Sequence, residues 1–138
     1  NLAEQQLVDC CRGSQCGGSA GCNGGEEADA IGWIGRVNKG QCLTKDYPYT
    51  ARDGTCKKTC QNAGIVSDVK RITGEPALIT SLNNLPTTIA VDAGGRDWQS
   101  YKGGVFNPAS CGKQLNHAIL AVGYTDQYYI VKNSWGTS

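Results

Sequence analysis

The sequence predicts an α+β fold in two halves: a helical, loop-rich first half tied by cysteines, and a second half of antiparallel strands. Three observations carry this reading. Ala28, Ile31, Ile34 and Val37 recur at helical spacing within residues 26–37. Near the end, residues 117–124 and 129–131 form two apolar runs that are short, β-branched and aromatic, with a short break at Thr125-Asp126-Gln127, so they read as two buried strands of a hairpin. Eight cysteines and nineteen glycines in 138 residues indicate loops pinned by disulfides in an oxidising compartment. A chain of this length makes one compact domain or parts of two. The boundary is expected near Lys70, giving residues 1–70 and 71–138.

Each element has its own signal. Glu26, Glu27 and Asp29 occupy the first turn of the helix over 26–37, where carboxylates complement the positive end of the dipole, and Gly40 is its stop signal. Residues 41–64 are rich in turns and held by cysteine. A second, short helix is expected from Pro76, a favoured first position, carrying Leu78, Ile79 and Leu82. Residues 87–92 read as a strand, residues 94–104 as a glycine-rich connection, and the hairpin follows.

The hairpin holds the chemistry. His117, the only histidine, opens its first run, and Asn133 closes its second. A turn centred near residue 125 sets His117 opposite Asn133, and opposed residues share a face with Cβ atoms roughly 4.5–5.5 Å apart. A carboxamide beside an imidazole fixes its tautomer and orientation, as a general base requires. Trp135 stands two positions on and is placed to exclude water from the pair, which strengthens the bond between them; ordinary core filling is the other reading of the same tryptophan.

Composition excludes several function classes. A net charge of +1 gives no electrostatic footprint for nucleic acid or an anionic membrane, and no basic cluster is longer than the pair Lys57-Lys58. No apolar run approaches 18 residues, the length of a membrane-spanning helix. There is no Asn-x-Ser/Thr acceptor, repeat or low-complexity tract. One histidine and no Cys-x-x-Cys pair argue against zinc, and no metal is expected.

Asn116-His117-Ala118-Ile119-Leu120-Ala121-Val122-Gly123-Tyr124 and Lys132-Asn133-Ser134-Trp135-Gly136-Thr137 resemble the histidine and asparagine blocks of papain-like cysteine proteases, the family of the lysosomal cathepsins. Leu2-Ala3-Glu4-Gln5-Gln6-Leu7-Val8-Asp9-Cys10 resembles the family's "LSEQ-LVDC" segment. Gly21-Cys22-Asn23-Gly24-Gly25 matches a family loop, Asp46-Tyr47-Pro48-Tyr49 a turn, and Tyr101-Lys102-Gly103-Gly104-Val105-Phe106 a later segment. These blocks keep family order across nearly the whole chain. The resemblance implies the papain-like two-domain fold, a helical left domain and a β-barrel-like right domain with a cleft between them, here incomplete.

It also implies a site. His117 and Asn133 would be catalytic, with Trp135 shielding them. Asn23, Gly24 and Gly25 would pair with an extended peptide as an added strand does, although Asn-Gly-Gly also suits a plain tight turn. Glu26, Glu27, Leu115, Asn116 and Ala118 would border the substrate, Asn116 tuning the histidine only mildly. Family members usually carry apolar residues where Glu26 and Glu27 stand. Either this pocket accepts a basic side chain, or both carboxylates only serve the helix start. Among the cysteines, Cys10 would bridge to Cys56, and Cys22 and Cys111 to partners outside the chain. Cys11, Cys16, Cys42 and Cys60 are extra to the family pattern and allow three pairings.

One departure matters. The family's nucleophile lies in a Cys-Gly-Ser-Cys-Trp segment, and no cysteine here precedes a tryptophan. The chain is therefore expected to be an internal fragment, inactive alone, of a cysteine endopeptidase that needs no cofactor. Its implied partners are peptide or protein substrates, a propeptide and cystatin-like inhibitors, and its implied location is lysosomal, vacuolar or secreted. An inactive or serine-substituted homologue with a binding or structural role is the alternative.

Overall fold

The computed structural model describes residues 1–58, 60–64, 66 and 68–136. Thr137, which ends the asparagine block, lies outside the described residues. The chain divides into two compact units, Asn1–Arg71 and Ile72–Ser138.

The first unit opens with helix α1 (Glu4–Cys10), which the hydrophobic period does not announce because its buried face is largely polar: Gln5, Gln6 and Asp9 beside Cys10. Those groups are satisfied across the unit. Asp9 accepts hydrogen bonds from Gln5 Nε2 at 2.8 Å, Tyr47 Oη at 2.7 Å and Gly54 N–H at 2.9 Å. Gln5 also donates to Arg52 O and accepts from Thr50 N–H, and Gln6 accepts from Cys42 N–H. Burial, and then the bond to Asp9, push the Tyr47 hydroxyl above its ordinary pKa. A two-stranded ribbon, β1 (Arg12–Gly13) and β2 (Ser19–Ala20), leads to helix α2 (Glu27–Trp33). The helix runs on as a π turn over Ile34–Asn38 and ends where Lys39 and Gly40 adopt φ of 57° and 121°. The sequence expected one continuous helix over 26–37; the wider last turn brings Gly35 against the chain at Val66, where a Cβ would lie 2.6 Å from the Val66 carbonyl oxygen.

Cys10, Cys11, Cys16, Trp33 and Ile34 form the main core, flanked by Leu7, Ala30 and Val66; Ala3, Cys42 and Tyr47 form a second. Both are small, and disulfides reinforce them: Cys10–Cys56, Cys11–Cys16 and Cys42–Cys60. The pairing left open among the four extra cysteines is thus one short local loop and one longer clasp.

In the second unit, helix α3 (Glu75–Leu82) has Pro76 in its first turn. Strand β3 (Thr87–Val91) follows, then a single-turn helix α4 (Arg96–Gln99) inside the glycine-rich connection, then β4 (His117–Tyr124) and β5 (Tyr129–Lys132). The three strands pair antiparallel in the order β3-β4-β5. Ile119 and Ala121 are its buried centre. Tyr129 Oη donates to Glu75 and Tyr124 Oη to Asn83, tying the hairpin to α3 and the residue that caps it.

Two expectations about the hairpin are corrected. The strand β5 is not buried: it is the sheet edge, with Ile130 and Val131 48% and 43% exposed. The register also differs. The loop is Thr125–Tyr128, closed by Thr125 N–H to Tyr128 O and by Thr125 Oγ1 accepting from the N–H groups of Gln127 and Tyr128. Tyr124 therefore opposes Tyr129, and a bulge between Ala121 and Gly123 shifts the ladder so that Leu120 opposes Lys132. His117 and Asn133 are not directly opposed; continuing the ladder one step past Leu120 and Lys132 aligns Asn133 with Ile119, two positions along on the face of His117.

Candidate active site

Val91 pairs with His117 in the last rung between β3 and β4, so the imidazole stands where the sheet ends. Its Nε2 lies 2.8 Å from Asn133 Oδ1. The same oxygen accepts the Ser134 backbone N–H at 2.8 Å, which identifies it as the carbonyl oxygen of the amide. A carbonyl only accepts, so Nε2 carries the proton and Nδ1 is the nitrogen left for a reacting group. Trp135 lies over the ring, centroids 4.7 Å apart and planes inclined by 31°. Trp98 meets Trp135 edge-on at 6.3 Å and packs on Phe106 at 4.6 Å. Aromatic cover thus begins at the histidine and runs back into the unit, with Trp135 itself 45% exposed.

Asn116 does not bond the histidine beside it. Its Oδ1 accepts Ala93 N–H at 2.9 Å, and its Nδ2 donates to Asp92 at 3.3 Å. Asp92 also accepts the N–H groups of Gln114 at 2.8 Å and Gly94 at 3.2 Å. These backbone donors, with Asn116, hold the Asp92 carboxyl below the usual range. The pair locks the exit of β3 to the entry of β4, and so fixes the backbone on which His117 stands. Sequence reasoning missed Asp92. The available signal was a carboxylate at a strand end next to Ala93-Gly94-Gly95, where loop N–H groups need an acceptor. Leu115 is 67% exposed, and Ala118 is paired with Ala90 on the opposite face of β4 from His117.

The remaining candidates lie in the first unit. Gly21–Asn23 form a tight turn, and Gly24 takes φ of 105°, a conformation natural to glycine. Ala20 N–H donates to Gly24 O at 2.9 Å. From outside, Asp53 accepts the Cys22 N–H at 2.8 Å and pairs with Arg12 at 2.8 Å. The Cys22 N–H, then Arg12, hold the Asp53 carboxyl below its ordinary range; desolvation and the Asp53 charge push the exposed Cys22 thiol up. Among the described residues neither the N–H nor the carbonyl of Gly25 is engaged, leaving one donor and one acceptor for another extended backbone. Glu26 precedes α2 and is exposed, Glu27 is half-buried, and neither side chain caps the helix. No group of side chains suited to a metal ion occurs among the described residues.

Comparison with known proteins shows the family and the fold. A family model described as papain family cysteine protease matches residues 1–138. The chain is 42% identical to cysteine protease 1 of Oryza sativa subsp. japonica over 147 residues, covering 99% of this chain and 29% of that protein. It is 43% identical to digestive cysteine proteinase 1 of Homarus americanus, covering 100% of this chain and 45% of that one. Among solved structures, a cysteine protease of Carica candamarcensis in complex with E-64 superposes with a TM-score of 0.85 at 36% identity, over 99% of this chain and 62% of that one. Bromelain of Ananas comosus with the E64 inhibitor gives 0.83 at 39% identity, over 98% and 62%. The chain thus spans about a third of the curated plant relatives it matches and under two thirds of the solved structures.

Proposed function

This chain belongs to the papain family of cysteine proteases, and on that footing we propose that the whole protein is a cysteine endopeptidase whose His117 and Asn133 serve a thiolate supplied by a segment beyond these 138 residues. The carrying observation is the hydrogen bond from His117 Nε2 to Asn133 Oδ1 under Trp135. It leaves Nδ1 to take the proton of a cysteine thiol. The thiolate attacks the peptide carbonyl, the imidazolium protonates the departing amine as the C–N bond breaks, and His117 then draws a proton from water as water releases the acyl group. The cycle returns every proton and uses no cofactor.

The free N–H and carbonyl of Gly25, on the loop of Asn23 and Gly24, support pairing with an extended peptide. Leu115, Asn116 and Ala118 are proposed as further substrate-bordering residues. Glu26 and Glu27 support a pocket that accepts a basic side chain, since neither side chain hydrogen-bonds the start of the helix they open. Comparing hydrolysis of otherwise identical substrates with Arg or Leu in that subsite tests this; a strong Leu preference sinks it. Peptide and protein substrates, a propeptide and cystatin-like inhibitors are the proposed partners. Cys22 and Cys111, both exposed and unbridged among the described residues, are proposed to pair beyond this chain. Three disulfides support a lysosomal, vacuolar or secreted location.

The test is to label the full-length protein with a thiol-directed epoxide and map the label by mass spectrometry. A single labelled cysteine outside this chain, with loss of peptidase activity, is expected. No label, or serine at the corresponding position, overturns the reading in favour of a binding or structural homologue.

A further inference from the structure

We infer that the β-bulge at Val122 is a positioning element for the catalytic pair, an inference that rests on the proposed roles of His117 and Asn133. Successive residues of a strand face opposite sides, so two residues on paired strands share a face only in the right register. The Thr125–Tyr128 loop, fixed by Thr125, sets Tyr124 opposite Tyr129 and Gly123 opposite Ile130. An unbroken ladder from there would put Leu120 opposite Asn133. Leu120 is three positions from His117 and faces the other side, so the sheet would separate imidazole from carboxamide. The bulge prevents this. It places Ala121 opposite Val131 and Leu120 opposite Lys132, one residue out of step with the turn. Asn133 then aligns with Ile119, on the face of His117, and the 2.8 Å hydrogen bond becomes possible. A bulge adds one residue to one strand, and Val122 is that residue. Its side chain is 41% exposed. What matters is its count in the strand rather than its contacts.

The rule distinguishes positioning from general damage. In the full-length protein, one alanine is inserted between Val122 and Gly123, one between Ile130 and Val131, or both. With the single bulge kept, the β4 insertion sets Leu120 opposite Asn133, reverses the phase and is expected to lower kcat/KM by about 10- to 150-fold, the loss of the hydrogen bond that orients the imidazole. The β5 insertion supplies a partner for Val122 and keeps the phase. The double insertion restores the original surplus of one residue. Both are expected within about tenfold of wild type, so the second insertion rescues the first. The hydrogen-bonded imidazole N–H proton, assigned by its absence in His117→Gln, is followed by NMR in each variant. It is expected in wild type, the β5 insertion and the double insertion, and absent in the β4 insertion. A double variant worse than either single one, or an intact imidazole signal in the β4 insertion, overturns the inference. If wild type shows no peptidase activity while the NMR pattern holds, the protease reading falls and the register rule stands.

Discussion

Replacing Asn133 by alanine isolates what orientation of the imidazole contributes. In the native site Asn133 Oδ1 accepts from His117 Nε2 and from Ser134 N–H, each at 2.8 Å. Both donors are near solvent, so water takes the place of the carbonyl and the fold should persist. What is lost is a fixed acceptor for a ring that is charged during the reaction. A hydrogen bond to a charged group contributes about 1.5–3 kcal/mol net. At about 1.4 kcal/mol per decade, Asn133→Ala should lower kcat/KM by about 10- to 150-fold. The partial exposure of the site favours the lower end of that span. The assay is hydrolysis of a fluorogenic peptide amide by the full-length protein, with active sites counted by the epoxide label so that only competent enzyme enters the rate. A loss below about threefold, with the melting temperature unchanged, would refute the reasoning, because the ring would then be held by something other than this bond.

Three further outcomes follow from the packing. The lowered pKa of Asp92 stabilises the fold at pH values above the unfolded carboxyl's ordinary value of about 3.9, and this stability is lost as pH falls through the lower folded value. Asp92→Asn should therefore lower the melting temperature at pH 6, with the gap to wild type closing on acidification; a gap that widens contradicts the assignment. Asp9→Ala strands three donors, from Gln5, Tyr47 and Gly54, and should cost about 3 kcal/mol or more in urea unfolding; a loss under about 1 kcal/mol would mean that water replaces the carboxylate freely. Paired alanine replacements of the disulfides should rank by the loop each closes. Sequence separations of 46, 18 and 5 correspond to about 4, 3 and 2 kcal/mol for Cys10–Cys56, Cys42–Cys60 and Cys11–Cys16, and an inverted order in chemical denaturation would show that native contacts outweigh chain entropy.

The sequence made the hairpin and its His117–Asn133 contact legible because apolar runs, a lone histidine and an asparagine are local signals. It also announced α3 through Pro76 and β3 through its β-branched residues. The failures share a cause: they depend on partners far along the chain. Helix α1 buries Gln5, Gln6 and Asp9, acceptable only because Tyr47, Thr50 and Gly54 arrive to bond them, so no apolar stripe marks it. The wide turn at Ile34–Asn38 accompanies the close approach of Gly35 to Val66. The hairpin register depended on two unseen terms, a turn centred between Asp126 and Gln127 rather than near residue 125 and an unpaired residue at Val122. The first moves the pairing by three positions and the second takes one back, and a net shift of two preserves the face. His117 and Asn133 were thus rightly placed on one side by an incorrect alignment. Asp92 escaped notice because its acceptors' role depends on N–H groups from a loop more than twenty residues away as well as from its own.

All three bridges lie within Asn1–Arg71, whereas residues 72–138 contain a single cysteine and can close no bridge among themselves. The two halves should therefore answer differently to dithiothreitol. A thiol peptidase requires enough reductant to keep its nucleophile from oxidising, yet the same reagent opens three bridges within the half that carries the Gly25 loop and, in the half that carries His117, only the one proposed for Cys111. Activity plotted against reductant should rise, reach a plateau and fall, and the falling limb should first appear as weaker substrate binding with the histidine half still folded.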